Sequence, residues 1–281
     1  MRGDWPSLTA MAVAFGRGVG TTAHVLDPLA AQLLPGPMGA ALALTHGAVG
    51  RTLARAVTLG MVDHVCLRTA AIDAAVLAAK DDGCRQLVVL GAGLDARAWR
   101  MDALHDVDVF EVDHPATQAA KRARVGTSRP CAASVRFVAV DFERERLDTR
   151  LVDEGHDAAV PTAWIWEGVT PYLHPAAIHA TLADIGARSA AGSHLMMTYA
   201  VPELVLLPIP GARSITRLAF RGLGEALHGA MTPTTAAQAV LAVGLRPIAD
   251  GDARSWAEHA HGSATLARPF RAERLLVAVA D

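Results

Sequence analysis

Short, continuous apolar runs alternate with helical stretches over the middle of the chain. The first run, Gln86–Leu90 (QLVVL), is followed directly by glycine, which is typical of a strand buried on both faces of a sheet. Similar runs recur at Val107–Val112, Val135–Val140, Ala163–Trp166 and His194–Tyr199. Helical stretches separate them, notably at Ala116–Arg124 and Pro175–Arg188. This alternation indicates βαβ units, and it predicts an α/β fold whose mostly parallel sheet has helices on both faces.

The segments on either side of this alternation differ from it. Residues 1–80 contain no convincing strand, and alanine-rich stretches such as Met38–Ala43 and Met61–Ala79 predict helices. We therefore interpret residues 1–80 as an N-terminal helical cap on an α/β domain of residues 81–281. After the fifth strand, prolines interrupt a segment from about 201 to 234 that holds one helical stretch, 212–227, and we interpret this segment as an inserted lid. Two further strands are predicted at Leu245–Ala249 and Leu275–Ala280.

Composition and charge exclude several classes of protein. The 281 residues are 52% hydrophobic and 19% charged, which suits a large buried core and excludes general disorder. A net charge of -2 argues against a broad nucleic-acid-binding surface. The three cysteines lack metal-ligand spacing and fit a reducing compartment. Since there is no signal-peptide pattern and no apolar run of about 18 residues, we expect a cytoplasmic protein without a membrane partner.

The sharpest local signal is the glycine-rich segment that follows the first predicted strand. It reads Gly91-Ala92-Gly93-Leu94-Asp95-Ala96-Arg97. Glycines at this place let the backbone turn tightly and approach a ligand over the carboxyl end of the sheet. Asp113 ends the next strand about 20 residues further on, where a carboxylate can accept hydrogen bonds from a ribose. Together these features predict a cofactor that contains a nucleoside, either NAD or S-adenosylmethionine.

Acidic residues at the ends of the next two strands favour S-adenosylmethionine. Asp141 and Phe142 follow the third strand and suit an adenine, because a carboxylate can accept the exocyclic amine while the ring packs on the base. Glu167 follows the fourth strand, facing the crevice in which a sulfonium or ammonium cation could lie. An NAD-dependent oxidoreductase is the alternative, although it would need neither acid and would need a proton-relay group that the sequence does not indicate.

Five ordered segments carry a resemblance to a known family. They are RTAAID (68–73), QLVVLGAGLDARAWRM (86–101), FEVDHPATQAAKRARV (110–125), VAVDFE (138–143) and PTAWIWEGVTPYL (161–173). These segments are similar to the leucine carboxyl methyltransferase family, whose members are class I S-adenosylmethionine-dependent enzymes. The resemblance is closest to the bacterial branch, which includes polyketide carboxyl methyltransferases, and it covers most of residues 17–200. It implies a class I methyltransferase Rossmann-like sheet, S-adenosylmethionine as cofactor and S-adenosylhomocysteine as product.

The resemblance also assigns roles to particular residues. It implies that Arg68 pairs with the methionine carboxylate of the cofactor and that Arg17, in FGRG, lies near the same group. The remaining implied contacts are Gly91 in the glycine loop, Asp113 at the ribose, Asp141 and Phe142 at the adenine, and Glu167 at the methionine ammonium.

The chemistry of methyl transfer bears on the acceptor. The reaction is an in-line displacement, so the enzyme mainly aligns donor and acceptor and excludes water. A carboxylate, with a reference pKa of about 4, is already ionised at neutral pH, whereas a phenol needs a base that is usually histidine. The twelve histidines show neither a motif for that role nor a metal-ligand pairing with an acid, so no metal is expected. We therefore predict a carboxyl O-methyltransferase for a small molecule. The alternatives are a phenol, a protein C-terminal carboxylate or a non-catalytic cofactor-binding protein.

Four residues are candidates for the acceptor site. Tyr172 lies just past Glu167 at the mouth of the predicted sheet and is expected to line the methyl-transfer site. Arg213, Arg217 and Arg221 are four residues apart and therefore share one face of the predicted lid helix. That face is either a solvated basic surface or a clamp for an anionic substrate.

Overall fold

The apolar runs form a seven-stranded sheet in this computed structural model, which describes residues 7–20, 27–141, 144–202, 228–259, 267 and 272–281. The strands are β1 (Gln86–Leu90), β2 (Asp108–Asp113), β3 (Ser134–Ala139), β4 (Thr162–Trp166), β5 (His194–Ala200), β6 (Leu245–Asp252) and β7 (Glu273–Ala280). Their order is β3-β2-β1-β4-β5-β7-β6, with β1 to β5 parallel and β7 antiparallel to both of its neighbours. The predicted mostly parallel sheet is therefore confirmed.

The last two strands are longer than the apolar pattern predicts. The ladder between β6 and β7 continues to the pair Asp252 and Arg274, with a register shift between Pro247 and Ala249. Main-chain hydrogen bonds hold this extension, so its polar side chains need not be buried. The extension begins β7 at Glu273, a residue that the apolar pattern leaves outside the strand.

Helices flank the sheet and precede it. Before β1 lie α1 (Leu8–Val19), α2 (Ala30–Leu33), α3 (Gly36–Ala43), α4 (Ala48–Val57) and α5 (Met61–Asp81). The later helices are α6 (Arg97–Arg100), α7 (Pro115–Val125), α8 (Leu147–Asp153), α9 (Pro175–Ala187), α10 (Pro233–Leu241) and α11 (Ala253–His259). A proline occupies the first position of α7, α9 and α10, where its missing N–H costs the helix no hydrogen bond.

Alternate residues of β1 face two separate apolar clusters, because successive side chains of a strand point to opposite faces. Leu87 and Val89 pack on one face with buried residues of α1 and α5. Val88 and Leu90 pack on the other face with buried residues of β4 and α9, such as Trp164. The predicted domain division after residue 80 falls in the last turn of α5, whose buried side chains share a cluster with β1.

Most of the predicted lid lies outside the described residues. This part includes residues 203–227, and with them the predicted helix and Arg213, Arg217 and Arg221. On the described side, the backbone N–H of Met231 donates to the carbonyl of Ala200 at 2.9 Å, and α10 begins at Pro233. Over the parts of the chain that the structure describes, no helix is both long and apolar enough to cross a membrane.

Candidate functional site

Three strands bring the predicted site residues to one edge of the sheet. Leu90, the last residue of β1, is in register with Val112 of β2 on one side and Trp166 of β4 on the other. Gly91 and Glu167 follow β1 and β4 directly, and Asp113 ends β2. Because the carboxyl ends of parallel strands meet at the same edge, the glycine loop lies between the two acids.

The glycine loop has a backbone that only glycine adopts without strain. Gly91 has a φ of +66°, and a Cβ at this position would overlap the Cγ2 methyl of Val169. The N–H of Gly93 donates to Asp113 Oδ2 at 2.5 Å, and the N–H of His114 donates to Asp113 Oδ1 at 2.6 Å. Burial raises the pKa of Asp113 and outweighs these two N–H groups, which lower it. Asp113 thus joins the loop to the end of β2.

Glu167 is the centre of a buried ion network. Arg17 Nη2 donates to both of its carboxylate oxygens at 2.8 Å, Arg68 Nε donates to Oε1 at 2.9 Å, and Arg97 Nη1 donates to Oε2 at 3.0 Å. Burial raises the pKa of Glu167, but the three guanidinium groups outweigh it and hold the pKa well below its usual range. The carboxylate is therefore ionised at neutral pH, although its side chain is only 8% exposed.

Arg68 also contacts a second carboxylate, that of Glu273. Its Nη1 donates to both oxygens of Glu273 at 2.7 Å, and His64, one turn earlier on α5, contacts Glu273 Oε2 through Nε2 at 2.6 Å. Glu273 begins β7 opposite Ala200, the last residue of β5. Because β7 is antiparallel, its first residue lies at the same edge as the last residues of the parallel strands.

A further set of ion pairs fixes the glycine loop to α5. The N–H of Arg97 donates to Asp95 Oδ1 at 2.8 Å, and its guanidinium also contacts the other oxygen of Asp95. On its other side, Arg97 Nε donates to Asp73 Oδ1 at 2.7 Å, and Arg100 lies 2.7 Å from Asp73 Oδ2. Asp95 thus holds α6 in place in this structure, and a second contact at 3.5 Å joins it to Arg17.

The other predicted residues lie around this network. Asp141 lies two residues after the end of β3, and its backbone N–H donates to Glu145 Oε2 at 2.9 Å. Phe142 lies outside the described residues. Tyr172 ends a 3₁₀ turn after β4, and its hydroxyl donates to Thr9 Oγ1 at 3.3 Å, which ties it to the helix that carries Arg17.

Five residues of the network are not predicted as site residues from the sequence: His64, Asp73, Arg97, Arg100 and Glu273. For two of them the sequence does hold a signal. Asp73 and Arg97 are charged residues inside RTAAID and GAGLDAR, two otherwise alanine-rich or apolar segments that meet in space. A charge in such a segment must find a partner when the segment is buried. Glu273 carries no comparable local signal.

Comparison with known proteins identifies the family. The family model for leucine carboxyl methyltransferase matches residues 10–186. The chain belongs to this family. Among curated relatives, the chain is 42% identical over 146 residues to a putative S-adenosyl-L-methionine-dependent methyltransferase of Streptomyces coelicolor, a match that covers 52% of this chain and 51% of that protein. It is 35% identical over 222 residues to another protein of that description from Mycobacterium marinum, covering 75% and 69%. The matched segment thus spans about half the length of the first of these relatives.

Solved structures of the same fold cover nearly the whole chain. A crystal structure from Streptomyces avermitilis has a TM-score of 0.63 at 15% identity and covers 98% of both chains. A putative methyltransferase from Thermobifida fusca has a TM-score of 0.59 at 16% identity, covering 99% of this chain and 96% of the other. At these identities the likeness shows the fold alone, and it confirms the predicted class I methyltransferase sheet with N-terminal helices. Within the described residues, no group of three or more His, Cys, Asp or Glu side chains could hold a metal ion.

Proposed function

We propose that the protein is an S-adenosylmethionine-dependent O-methyltransferase that converts a carboxylate of a small molecule into its methyl ester. The observation that carries this proposal is the meeting of the Gly91 turn, Asp113 and the Glu167–Arg68 pair at one edge of the sheet. Family membership supports the cofactor, and the curated relatives are described as methyltransferases of this dependence.

We assign the parts of the cofactor to residues of the site one by one. The Gly91 turn brings the loop backbone to the carboxyl edge of the sheet, and the Asp113 carboxylate accepts the ribose hydroxyls. The adenine is assigned to Asp141, which follows β3, and to Phe142, whose role rests on the family resemblance because it lies outside the described residues. At the other end, Glu167 accepts hydrogen bonds from the ammonium of the methionine part, and Arg68 and Arg17 donate to its carboxylate.

The charge balance of the network also supports a zwitterionic ligand. Four arginines, Arg17, Arg68, Arg97 and Arg100, are paired with four acids, Asp73, Asp95, Glu167 and Glu273. The methionine part of the cofactor brings one ammonium and one carboxylate. The network therefore stays neutral when the ammonium pairs with one of its acids and the carboxylate pairs with one of its arginines. The pyrophosphate of NAD would bring two uncompensated negative charges to buried carboxylates, at a high electrostatic cost.

The bound cofactor supplies an electrophilic methyl group on a sulfonium, and the protein aligns it with the acceptor. An acceptor carboxylate is ionised at neutral pH, so the residues of the site need to orient it and exclude water without removing a proton. We place Tyr172 in this part of the site. Its 3₁₀ turn follows β4, and its hydroxyl donates to Thr9 of α1, the helix that carries Arg17.

Calorimetry and a labelled-methyl assay test the proposal. We expect S-adenosylhomocysteine to bind in the micromolar range, about -8 kcal/mol, and NAD to give no heat. Binding of NAD alone would overturn the assignment. With methyl-labelled cofactor and a panel of small carboxylic acids, the labelled product should release methanol in mild alkali, since esters hydrolyse there. Label that resists alkali would point to a phenol or alcohol acceptor instead.

A further inference from the structure

Glu273 is the one acid of the network that comes from outside the family segments of the sequence. It lies 205 positions from Arg68 along the chain, yet both of its oxygens contact Arg68 Nη1 at 2.7 Å. Its side chain is 15% exposed, and His64 contacts its Oε2 from one turn earlier on α5. Burial raises the pKa of Glu273, but Arg68 and His64 outweigh it and lower the pKa to about 2. This carboxylate is therefore a permanent anion at the edge of the site.

The contacts of Arg68 leave one edge of its guanidinium available. Nε donates to Glu167 and Nη1 donates to Glu273, whereas Nη2 donates to no described residue. Arg68 itself is buried, with 5% of its surface exposed. Two carboxylates at the ends of rigid strands thus fix the plane of the guanidinium.

We propose that Glu273 is a positioning residue, which holds Arg68 so that Nη2 faces the carboxylate of the methionine part of the cofactor. This inference rests on the proposed function and adds a residue that the family segments do not contain. An arginine side chain has many rotamers, and fixing it before the ligand arrives removes an entropic cost of binding. Because the guanidinium is planar, two anchors suffice to direct its third nitrogen.

The test compares two ligands in the Glu273→Gln variant. S-Adenosylhomocysteine carries the amino and carboxyl groups, whereas 5′-methylthioadenosine has the same nucleoside and a thioether but lacks both groups. We expect Glu273→Gln to weaken the binding of S-adenosylhomocysteine by about tenfold and to change the affinity for 5′-methylthioadenosine by less than about twofold. Glu258→Gln is the matched control, because it removes a carboxylate from an exposed pair with Arg254, and it should leave both affinities unchanged.

A double-mutant cycle shows whether Glu273 acts through Arg68. If it does, Arg68→Lys combined with Glu273→Gln should weaken S-adenosylhomocysteine no more than Arg68→Lys alone. Additive losses would overturn the positioning role, and so would equal losses for the two ligands, which would mean that Glu273 only supports the fold. Unchanged affinity in Glu273→Gln would overturn it as well. If the unmodified protein binds neither ligand, the proposed function itself fails, and that outcome is separate from all the others.

Discussion

Replacement of Gly91 by alanine tests how closely the backbone must approach its surroundings at the glycine loop. The φ of +66° costs a residue with a Cβ about 1–2 kcal/mol. The new Cβ would also overlap Val169 Cγ2, and Val169 is β-branched, so turning its methyl aside has a cost of its own. Overpacking of this kind adds about 1–3 kcal/mol, and we expect Gly91→Ala to lower the free energy of unfolding by about 2–5 kcal/mol in total.

Gly192→Ala is the matched control for this experiment. Gly192 has a φ of +81°, but a Cβ there would meet nothing within 4 Å, so only the backbone cost of about 1–2 kcal/mol should appear. Urea unfolding of Gly91→Ala, Val169→Ala and the double variant then isolates the steric part. We expect the double variant to be more stable than the sum of the single losses, by about 1–3 kcal/mol. Equal losses for Gly91→Ala and Gly192→Ala, with no coupling to Val169, would refute the reasoning.

Three further predictions concern the carboxylates. Asp113→Ala should weaken S-adenosylhomocysteine by about 1.5–3 kcal/mol in calorimetry, and unchanged affinity would remove Asp113 from the site. The pKa of Glu273 is about 2 in the folded protein, below the ordinary 4.5, so its stabilising contribution should be lost as pH falls from 4.5 to 2. In urea unfolding at several pH values, the free energy of unfolding of Glu273→Gln should fall less between pH 4.5 and pH 2 than that of the unmodified protein. An equal fall in the two proteins would contradict the assignment. Burial raises the pKa of Glu111 to about 7 despite Lys121, 2.6 Å away. Lys121→Met should therefore lower the free energy of unfolding by about 3 kcal/mol at pH 8 and by less at pH 6, where Glu111 can take up a proton. Equal losses at the two pH values in urea unfolding would argue against an ionised pair.

The sequence predicts the parts of the site that depend on local pattern. The run QLVVL, the glycines that follow it and the acids at strand ends are local features, and the parallel sheet places them at one edge. Within the family segments, Asp73 and Arg97 can be predicted to be buried charges that need partners, because alanine and apolar residues surround them in the sequence. The contact of Glu273 with Arg68 depends on how β7 enters the sheet, which no local pattern encodes.

The position of β7 has a consequence for the order in which the protein is assembled. β7 pairs with β5 on one side and β6 on the other, so the ribosome makes both of its neighbours before the strand that joins them. The Arg68–Glu273 contact closes across 205 positions, and contacts of such high sequence separation form slowly. A nascent chain can therefore complete the glycine loop and the Glu167 cluster while Arg68 still lacks its second anchor. In this scheme, the site reaches its full affinity for the cofactor only when β7 is inserted between β5 and β6.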